Sequence, residues 1–353
     1  MEHVDVAVIG GGQSGLAAAR ALRQRGFKPV VLEASEAATG SWPRYYDSLT
    51  LFSPARYSSL PGMPFNGADP DRYPHRDEVG AYLAAYAAGL DADVRTGRRV
   101  TAVRRADGGF EVELAGSSRL TARAVVAASG TFGRPYRPAL PGLEGFTSTV
   151  LHAADYRSPA RFAGQRVIVV GAGNSAVQIA AELAKVARVT LASRAPVKFA
   201  RQHLGGRDLH FWLKLTGLDI APLGRLLRTP PTQLVIDDGR YRAALAQGAP
   251  DRRELFTGID GAEALWPDGM REDVDAIVLA TGYRPDLPYL AALDGALDAA
   301  GHPRHRDGAS LTHPGLVFVG LEWQRSLSSN SLRGVGRDAD RVARRLAHHL
   351  NRG

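Results

Sequence analysis

Two apolar, β-branched runs in this chain break abruptly into glycine. Val4-Asp5-Val6-Ala7-Val8-Ile9 runs into Gly10-Gly11-Gly12-Gln13-Ser14-Gly15, and Val167-Ile168-Val169-Val170 runs into Gly171-Ala172-Gly173-Asn174-Ser175-Ala176. Behind each turn, Leu16 to Arg25 and Val177 to Val186 carry apolar residues at helical spacing. Both read as strand, turn, helix. Further strands are expected at Val30 to Leu32, Arg98 to Arg105, Gly109 to Leu114, Arg119 to Ala128, Val189 to Ala192, Val274 to Ala280 and Leu316 to Val319. Asp77 to Gly89 and Ser331 to Leu350 are expected helices, the second following Ser328-Ser329-Asn330, residues suited to capping. Strands alternating with helices in this way point to an α/β fold with parallel sheets.

The turns carry the chemistry. In a dinucleotide-binding unit the first glycine permits the tight turn, the second lets backbone approach a pyrophosphate, and the third small residue lets helix pack on strand. Gly10, Gly12 and Gly15 hold those places in the first unit, with Gln13 and Ser14 at the helix start, and Gly171, Gly173 and Ala176 hold them in the second, with Asn174 and Ser175. The alternative is a sharp strand-to-helix connection with no ligand. Two occurrences, each behind a strand and ahead of a helix, favour two bound dinucleotides.

The two units differ where the second strand ends. Val30-Val31-Leu32 leads to Glu33, 18 residues beyond Gly15 (33 − 15), where a carboxylate suits a ribose hydroxyl; the plain alternative is a surface acid. Val189 to Ala192 leads instead to Ser193 and Arg194. A missing acid and a present arginine are what a 2′-phosphate asks for, so NADPH is expected ahead of NADH, NADH remaining possible, with a structural loop arginine as the alternative.

Composition narrows the classes. There is no cysteine, which excludes a disulfide framework, cysteine-ligated metal and a redox-active dithiol. The 44 basic residues exceed the 36 acidic ones by 8, but they are interspersed with acids and form no dense run with interleaved aromatics, so no nucleic acid is expected. No apolar stretch approaches the ~18 residues of a membrane span, and the start of the chain lacks a basic segment or cleavage site, so a cytoplasmic protein with no membrane partner is expected. The histidines at 302 to 313 and 348 to 349 lack ligand spacing with carboxylates, and no metal is expected.

Two stretches carry no clear period. Residues 35 to 76 are rich in Pro, Gly, Ser, Tyr and Arg, long for an idle loop. Between 204 and 258, the set Leu209, Phe211, Trp212, Leu215 and Leu218 has the composition of a membrane-facing or partner-facing surface; packing into its own domain is the default expectation.

With Ala128-Ser129-Gly130 closing the first unit and the second glycine turn in place, the chain resembles the flavin-containing monooxygenases, of the small bacterial type, over nearly its whole length. The family linker F-x-G-x-x-x-H-x-x-x-(Y/F) is matched by Phe146, His152 and Tyr156, with Ser148 in place of the glycine. Leu279-Ala280-Thr281-Gly282-Tyr283 is similar to the family segment F-A-T-G-Y, and Gly40-Ser41-Trp42 to its flavin-contacting G-x-W. The resemblance implies an FAD domain formed by residues 1–158 and 276–353. Into it is inserted an NADP domain, residues 159–275, which carries the segment 204–258.

It also implies an activity. FAD and NADPH are the expected cofactors, with Ser41, Trp42, Ser129, Gly130, Thr281, Gly282 and Tyr283 joining the two turns, Glu33, Ser193 and Arg194 in binding them. Hydride from NADPH reduces the flavin, O2 adds to form a C4a-hydroperoxyflavin, and a soft nucleophile, sulfur or nitrogen, or a ketone takes one oxygen atom. Phe52 is expected to wall the pocket beside the flavin, with core packing as its alternative and that of Trp42. The final helix, starting near Asn330, is expected to aim its positive end at the flavin. His152 is expected to be structural, with no proton-transfer role. Beyond a small-molecule substrate and O2, a homodimer is the only partner considered. An NAD(P)H-dependent flavoprotein reductase without oxygen insertion is the alternative function, and a nucleotide sensor without turnover a third.

Overall fold

The computed structural model describes residues 1–65, 67–227, 231 and 234–351. The chain opens with β1 (Glu2–Ile9), α1 (Gln13–Arg23) and β2 (Pro29–Leu32), continues through α2 (Arg76–Ala88) and β3 (Asp93–Arg95), and adds β4 (Val100–Ala106), β5 (Gly109–Leu114) and β6 (Arg119–Ala127). Next come β7 (Thr149–His152), β8 (Arg166–Val170), α3 (Asn174–Leu183), β9 (Arg188–Ser193), α4 (Leu209–Thr216), α5 (Arg240–Ala246), β10 (Asp251–Glu254) and β11 (Ala276–Leu279). The chain then forms β12 (His305–Arg306), β13 (Ala309–Ser310), β14 (Leu316–Phe318) and the long α6 (Leu332–Leu350).

Two parallel sheets result. In the first, β14, β6, β1, β2 and β3 lie side by side and parallel, while the hairpin β4–β5 runs antiparallel along the first half of β6 and leaves its second half to β14. The second has the order β10-β9-β8-β11-β7, every pair parallel. Strands buried on both faces explain the unbroken apolar runs. Val6 and Val8 of β1 face a core with α1 and α6, whereas Ala7 and Ile9 face the β4–β5 side. Val167 and Val169 of β8 likewise meet α3, and Ile168 and Val170 meet Phe256 and Trp266. Each fully buried valine or isoleucine contributes roughly 1.5–3 kcal/mol relative to exposure.

Three expectations need correction. β7 and β11 both belong to the second sheet, so the second unit starts before residue 159 and extends past 275. The physical reason is that β8 needs a parallel neighbour on its far side, and residues 276–279 supply it. Second, the cap of α6 is Ser331, whose hydroxyl does not accept from the helix but donates back to the Ser328 carbonyl at 2.8 Å. Ser328 donates to Asp219 O, and Ser329 accepts from the N–H groups of Arg325 and Ser326.

Third, the apolar set of α4 does not all turn inward. Leu215 is 65% exposed and Leu218 52%, while the buried residues of this region are His210 and Asp219. Asp208, which caps α4, is held by Tyr73 and Gln202, and this fixes the helix with His210 rather than the leucines facing in. The segment after α4 also crosses to the first unit: Gly224 N–H donates to Arg325 O at 2.9 Å, and Asp219 accepts from Arg333 at 3.0 Å. No helix among the described residues is long and apolar enough to cross a membrane.

Candidate active site

The first glycine turn is fixed by close backbone contacts. Gly10, at φ +108°, donates its N–H to Leu32 O at 2.9 Å, and a Cβ there would stand 2.6 Å from Ala128 O. A Cβ on Gly15 would fall 1.8 Å from Gly10 O, so α1 seats on β1 only because that residue is glycine. Gly12 caps α1 with no side-chain hydrogen bond, and the first turn holds no acid, which leaves N–H groups open to an anion. Glu33 reaches the same place: its carboxylate accepts from Gly11 N–H at 2.6 Å, from Ser35 N–H at 2.8 Å and from the Ser35 hydroxyl. Ser14 is buried beneath Gly320, where a Cβ would meet its Oγ at 2.0 Å.

The second turn repeats the first bond for bond. Gly171 N–H donates to Ala192 O at 2.9 Å, matching Gly10 to Leu32, and Ala280 N–H donates to Val170 O at 2.8 Å, matching Ala128 to Ile9. Ala128-Ser129-Gly130 and Ala280-Thr281-Gly282 are therefore structural counterparts, and both glycines sit at φ +86° with nothing near the place of a Cβ. The space around Gly173 is equally open, and α3 starts there without a side-chain cap.

Around these cradles the expected residues take distinct positions. Ser129 Oγ lies 2.9 Å from the buried Tyr289 hydroxyl, and Thr281 donates to Tyr136 O at 2.5 Å. Asn174 turns its amide to the strand Val235–Asp237, donating to Leu234 O and accepting from Ile236 N–H. Ser193 is buried and donates to Ala195 O at 2.8 Å. Arg194 is exposed at the end of β9 and forms no hydrogen bond or ion pair among the described residues.

A short stretch that sequence reading only half identified joins the two turns. At one end, a Cβ on Gly12 would stand 3.2 Å from Gly40 Cα, and Trp42 Nε1 donates to Gln13 Oε1 at 3.2 Å. Ser41 and Tyr45 hydroxyls pair at 2.8 Å, and Tyr45 sets its ring edge-on to Trp42. At the other end Tyr46 donates to Gln178 of α3. Burial raises the Tyr46 phenol well above its ordinary pKa, so it stays a donor. Residues 40–46 thus touch both cradles.

The linker is packed as a structural element. Phe146 and Tyr156 are buried, and Tyr156 donates to Glu182 at 2.8 Å. His152 is fully buried, donating from Nε2 to Gly282 O at 3.1 Å and accepting Ala154 N–H at Nδ1; burial lowers its pKa and keeps it neutral. Tyr283 meets the His152 ring edge-on at 5.0 Å, and burial raises its phenol to about 12. Ser148 is exposed and is not among the residues at positive φ, so the position makes no demand for glycine.

Phe52 lies beyond this linker, 42% exposed, stacked on His210 at 6.3 Å with Gln202 donating to its carbonyl at 3.1 Å. It is not a core residue. His210 also stacks on Tyr57 and donates from Nδ1 to Asp208 at 2.8 Å. Burial pushes the Asp208 carboxyl up, but bonds from His210, Tyr73 and Gln202 outweigh this and hold it at about 2. The signal for this pair was Asp208 two residues before His210 at a helix start, obscured by the apolar residues that follow. Asn330 precedes the α6 cap, and its carbonyl accepts from Gln13 Nε2 at 2.6 Å.

Comparison with known proteins decides the family. A model described as pyridine nucleotide-disulphide oxidoreductase matches residues 7–214. An indole-3-pyruvate monooxygenase of Oryza sativa subsp. japonica is 32% identical over 323 residues, covering 80% of this chain and 77% of the relative. The flavin-containing monooxygenase from Stenotrophomonas maltophilia superposes with a TM-score of 0.86 at 33% identity, covering 99% of each chain. The chain belongs to the flavin-containing monooxygenases. An uncharacterized CzcO-like oxidoreductase of Geobacillus kaustophilus is also 31% identical, over 99% of this chain and 100% of its own length. A bacillithiol disulfide reductase from Bacillus cereus, at 22% identity and a TM-score of 0.75, shares the fold alone.

For a flavin-containing monooxygenase, one flavin and one nicotinamide dinucleotide have to be held, and the residues present fit both. Each turn has an uncapped helix start and glycines whose missing Cβ leaves open backbone, at Gly130 and Gly173 above all. The first turn carries a carboxylate, Glu33, on its Gly11 N–H, and Ser193 stands at the matching strand end of the second. The enzyme is therefore an oxidoreductase of two dinucleotide-binding domains acting with flavin and nicotinamide, and having no cysteine it has no dithiol.

Proposed function

We propose that this enzyme holds FAD in the turn at Gly10–Gly15 and NADPH in the turn at Gly171–Ala176, and inserts one atom of O2 into a soft nucleophile, a sulfide or amine, or into a ketone. The observation that carries this reading is the stretch 40–46, bonded to Gln13 of the first turn and Gln178 behind the second. When bound, the nicotinamide supplies hydride and the reduced flavin activates O2. The chain supplies position and charge. Glu33 accepts a ribose hydroxyl, and the open N–H groups of α1 and α3 take the pyrophosphates. Arg194 meets the 2′-phosphate with its fork of donors. Trp42 and Gln13 hold the first turn toward Asn330, and the uncapped start of α6 favours negative charge growing on the flavin. Phe52 closes the far wall against water.

The test is stoichiometry. NADPH oxidation is followed together with H2O2 release and product formation over a panel of sulfides, amines and cyclic ketones. Oxygenated product matching NADPH consumed supports the reading. A reductase would oxidise NADPH with quinones or dyes and yield no oxygenated product, and that outcome would overturn it.

A further inference from the structure

Helices α1 and α6 pack along each other, tied by Arg25 to Asp340 at 2.6 Å. Between them and the turn at residues 59–61 lies an open groove of about 580 Å³. Small residues shape it: Ala17 and Ala21 line it from α1, and a Cβ on Gly336 would stand 2.2 Å from Pro61 Cγ, so the turn closes one end only because α6 has glycine there. Six arginines and a single carboxylate, Asp340, face the space.

The acids nearby are already engaged. Asp340 is shared by Arg25 and Arg344, Asp338 holds Arg325, and Asp219 holds Arg333. Among the described residues Arg341 has only Asp307, at 3.4 Å, which Arg225 and Arg345 also contact. The side chains of Arg20 and Arg337 form no hydrogen bond or ion pair among the described residues. The Nε atoms of Arg20 and Arg341 are buried without a hydrogen-bond partner. Converging cations with unused, desolvated donors are unfavourable alone, and a multiply charged anion completes them. Guanidinium forks match phosphate oxygens in pairs.

Neither dinucleotide accounts for these groups. The groove is lined by α1 from residue 17 onward, past its Gly12 cap, and the second cradle belongs to the other sheet. We propose that the α1/α6 groove binds a compact group carrying two or more phosphate charges, as a third anion site separate from both cofactor cradles. Such a group occurs free in solution or on a phospholipid head, and the two sources are separable.

The flavin-loaded protein, with FAD and NADP+ saturating so that both cradles are filled, is titrated calorimetrically with inorganic pyrophosphate at near-physiological ionic strength. Saturable binding is expected, weakened by about tenfold or more in Arg20→Gln/Arg337→Gln, which removes two charge-assisted contacts. The control Arg99→Gln/Arg252→Gln alters exposed arginines outside the groove and keeps wild-type affinity. In a parallel arm the same proteins are sedimented with phosphatidylcholine vesicles containing phosphatidic acid. Loss of binding in the groove variant in the pyrophosphate arm assigns a free phosphate, and loss in the vesicle arm alone assigns a headgroup. No binding in either arm overturns the proposal, as does equal weakening by the control, which would reduce it to diffuse attraction. If the double variant folds poorly, Arg337→Gln alone, on the exposed rim, carries the same comparison. None of these readouts depends on oxygenation.

Discussion

Gln13 donates through Nε2 to the main-chain carbonyl of Asn330, 2.6 Å away and 317 residues distant in sequence, while its Oε1 accepts the indole N–H of Trp42. One amide therefore clamps the first glycine turn, the tryptophan beside it and the approach to the last helix. Gln13→Leu removes both bonds and leaves a partly buried carbonyl and indole unpaired, a loss of roughly 1–3 kcal/mol. Flavin fluorescence titration should show about a tenfold or greater rise in the Kd for FAD, with more H2O2 released per NADPH. Unchanged affinity would mean the clamp does not act on the cofactor.

Gly15 and Gly26 separate two kinds of glycine requirement. A methyl on Gly15 collides with a main-chain carbonyl at 1.8 Å, and backbone cannot swing aside as a side-chain tip does. Gly26 sits at φ +84° with nothing within 4 Å, so alanine there meets only backbone strain of about 1 kcal/mol. Gly15→Ala should give little folded, yellow protein, and Gly26→Ala a modest drop in melting temperature. Similar yields from the two would show that α1 can lift from β1.

Both cradles were legible in the sequence because their grammar is local: a buried strand, glycines at fixed offsets, then a helix. The equivalence of Ala128-Ser129-Gly130 with Ala280-Thr281-Gly282 was less visible, since it depends on which strand pairs with β8. That pairing also moved the boundaries of the second unit, because strand neighbours are set by the sheet and not by the nearest motif. The clasp from Tyr46 to Gln178 spans 132 residues and has no periodic signature. Around α4, hydropathy pointed to the leucines, whereas a capped, hydrogen-bonded Asp208 oriented the helix and buried His210.

Asp208 makes a pH-dependent contribution. Its carboxyl is held at about 2, below its value in the unfolded chain, so the stabilisation is fully present above about pH 4 and is lost as pH falls toward 2. The size is roughly 2 kcal/mol. Asp208→Asn should lower the urea midpoint at neutral pH, and the gap to wild type should narrow on acidification. A gap independent of pH would assign the effect to shape alone.

His152 gives the same sign from a different cause. Burial lowers its pKa, so the native state resists the proton, and its environment costs stability as pH drops below about 6.5, the unfolded value. His152→Gln should lower the melting temperature through lost bonds to Gly282 and Ala154 while leaving the shape of the kcat profile against pH unchanged. A displaced profile would give the histidine a part in proton transfer.

Arg194 decides coenzyme choice if the second cradle works as proposed. It stands just past the end of β9, exposed and with its side-chain donors unused, one residue beyond Ser193, which holds the place that Glu33 has in the first unit. A guanidinium meeting a phosphate forms charge-assisted bonds worth about 1.5–3 kcal/mol, and NADH offers no such partner. Arg194→Ala should therefore lower kcat/KM for NADPH by about 10- to 100-fold, chiefly through KM, and change NADH by less than about twofold. Ser193 is expected to matter less, because its hydroxyl proton is committed to Ala195 O. Equal losses with both coenzymes would place the 2′-phosphate elsewhere and leave Arg194 a role in holding the loop.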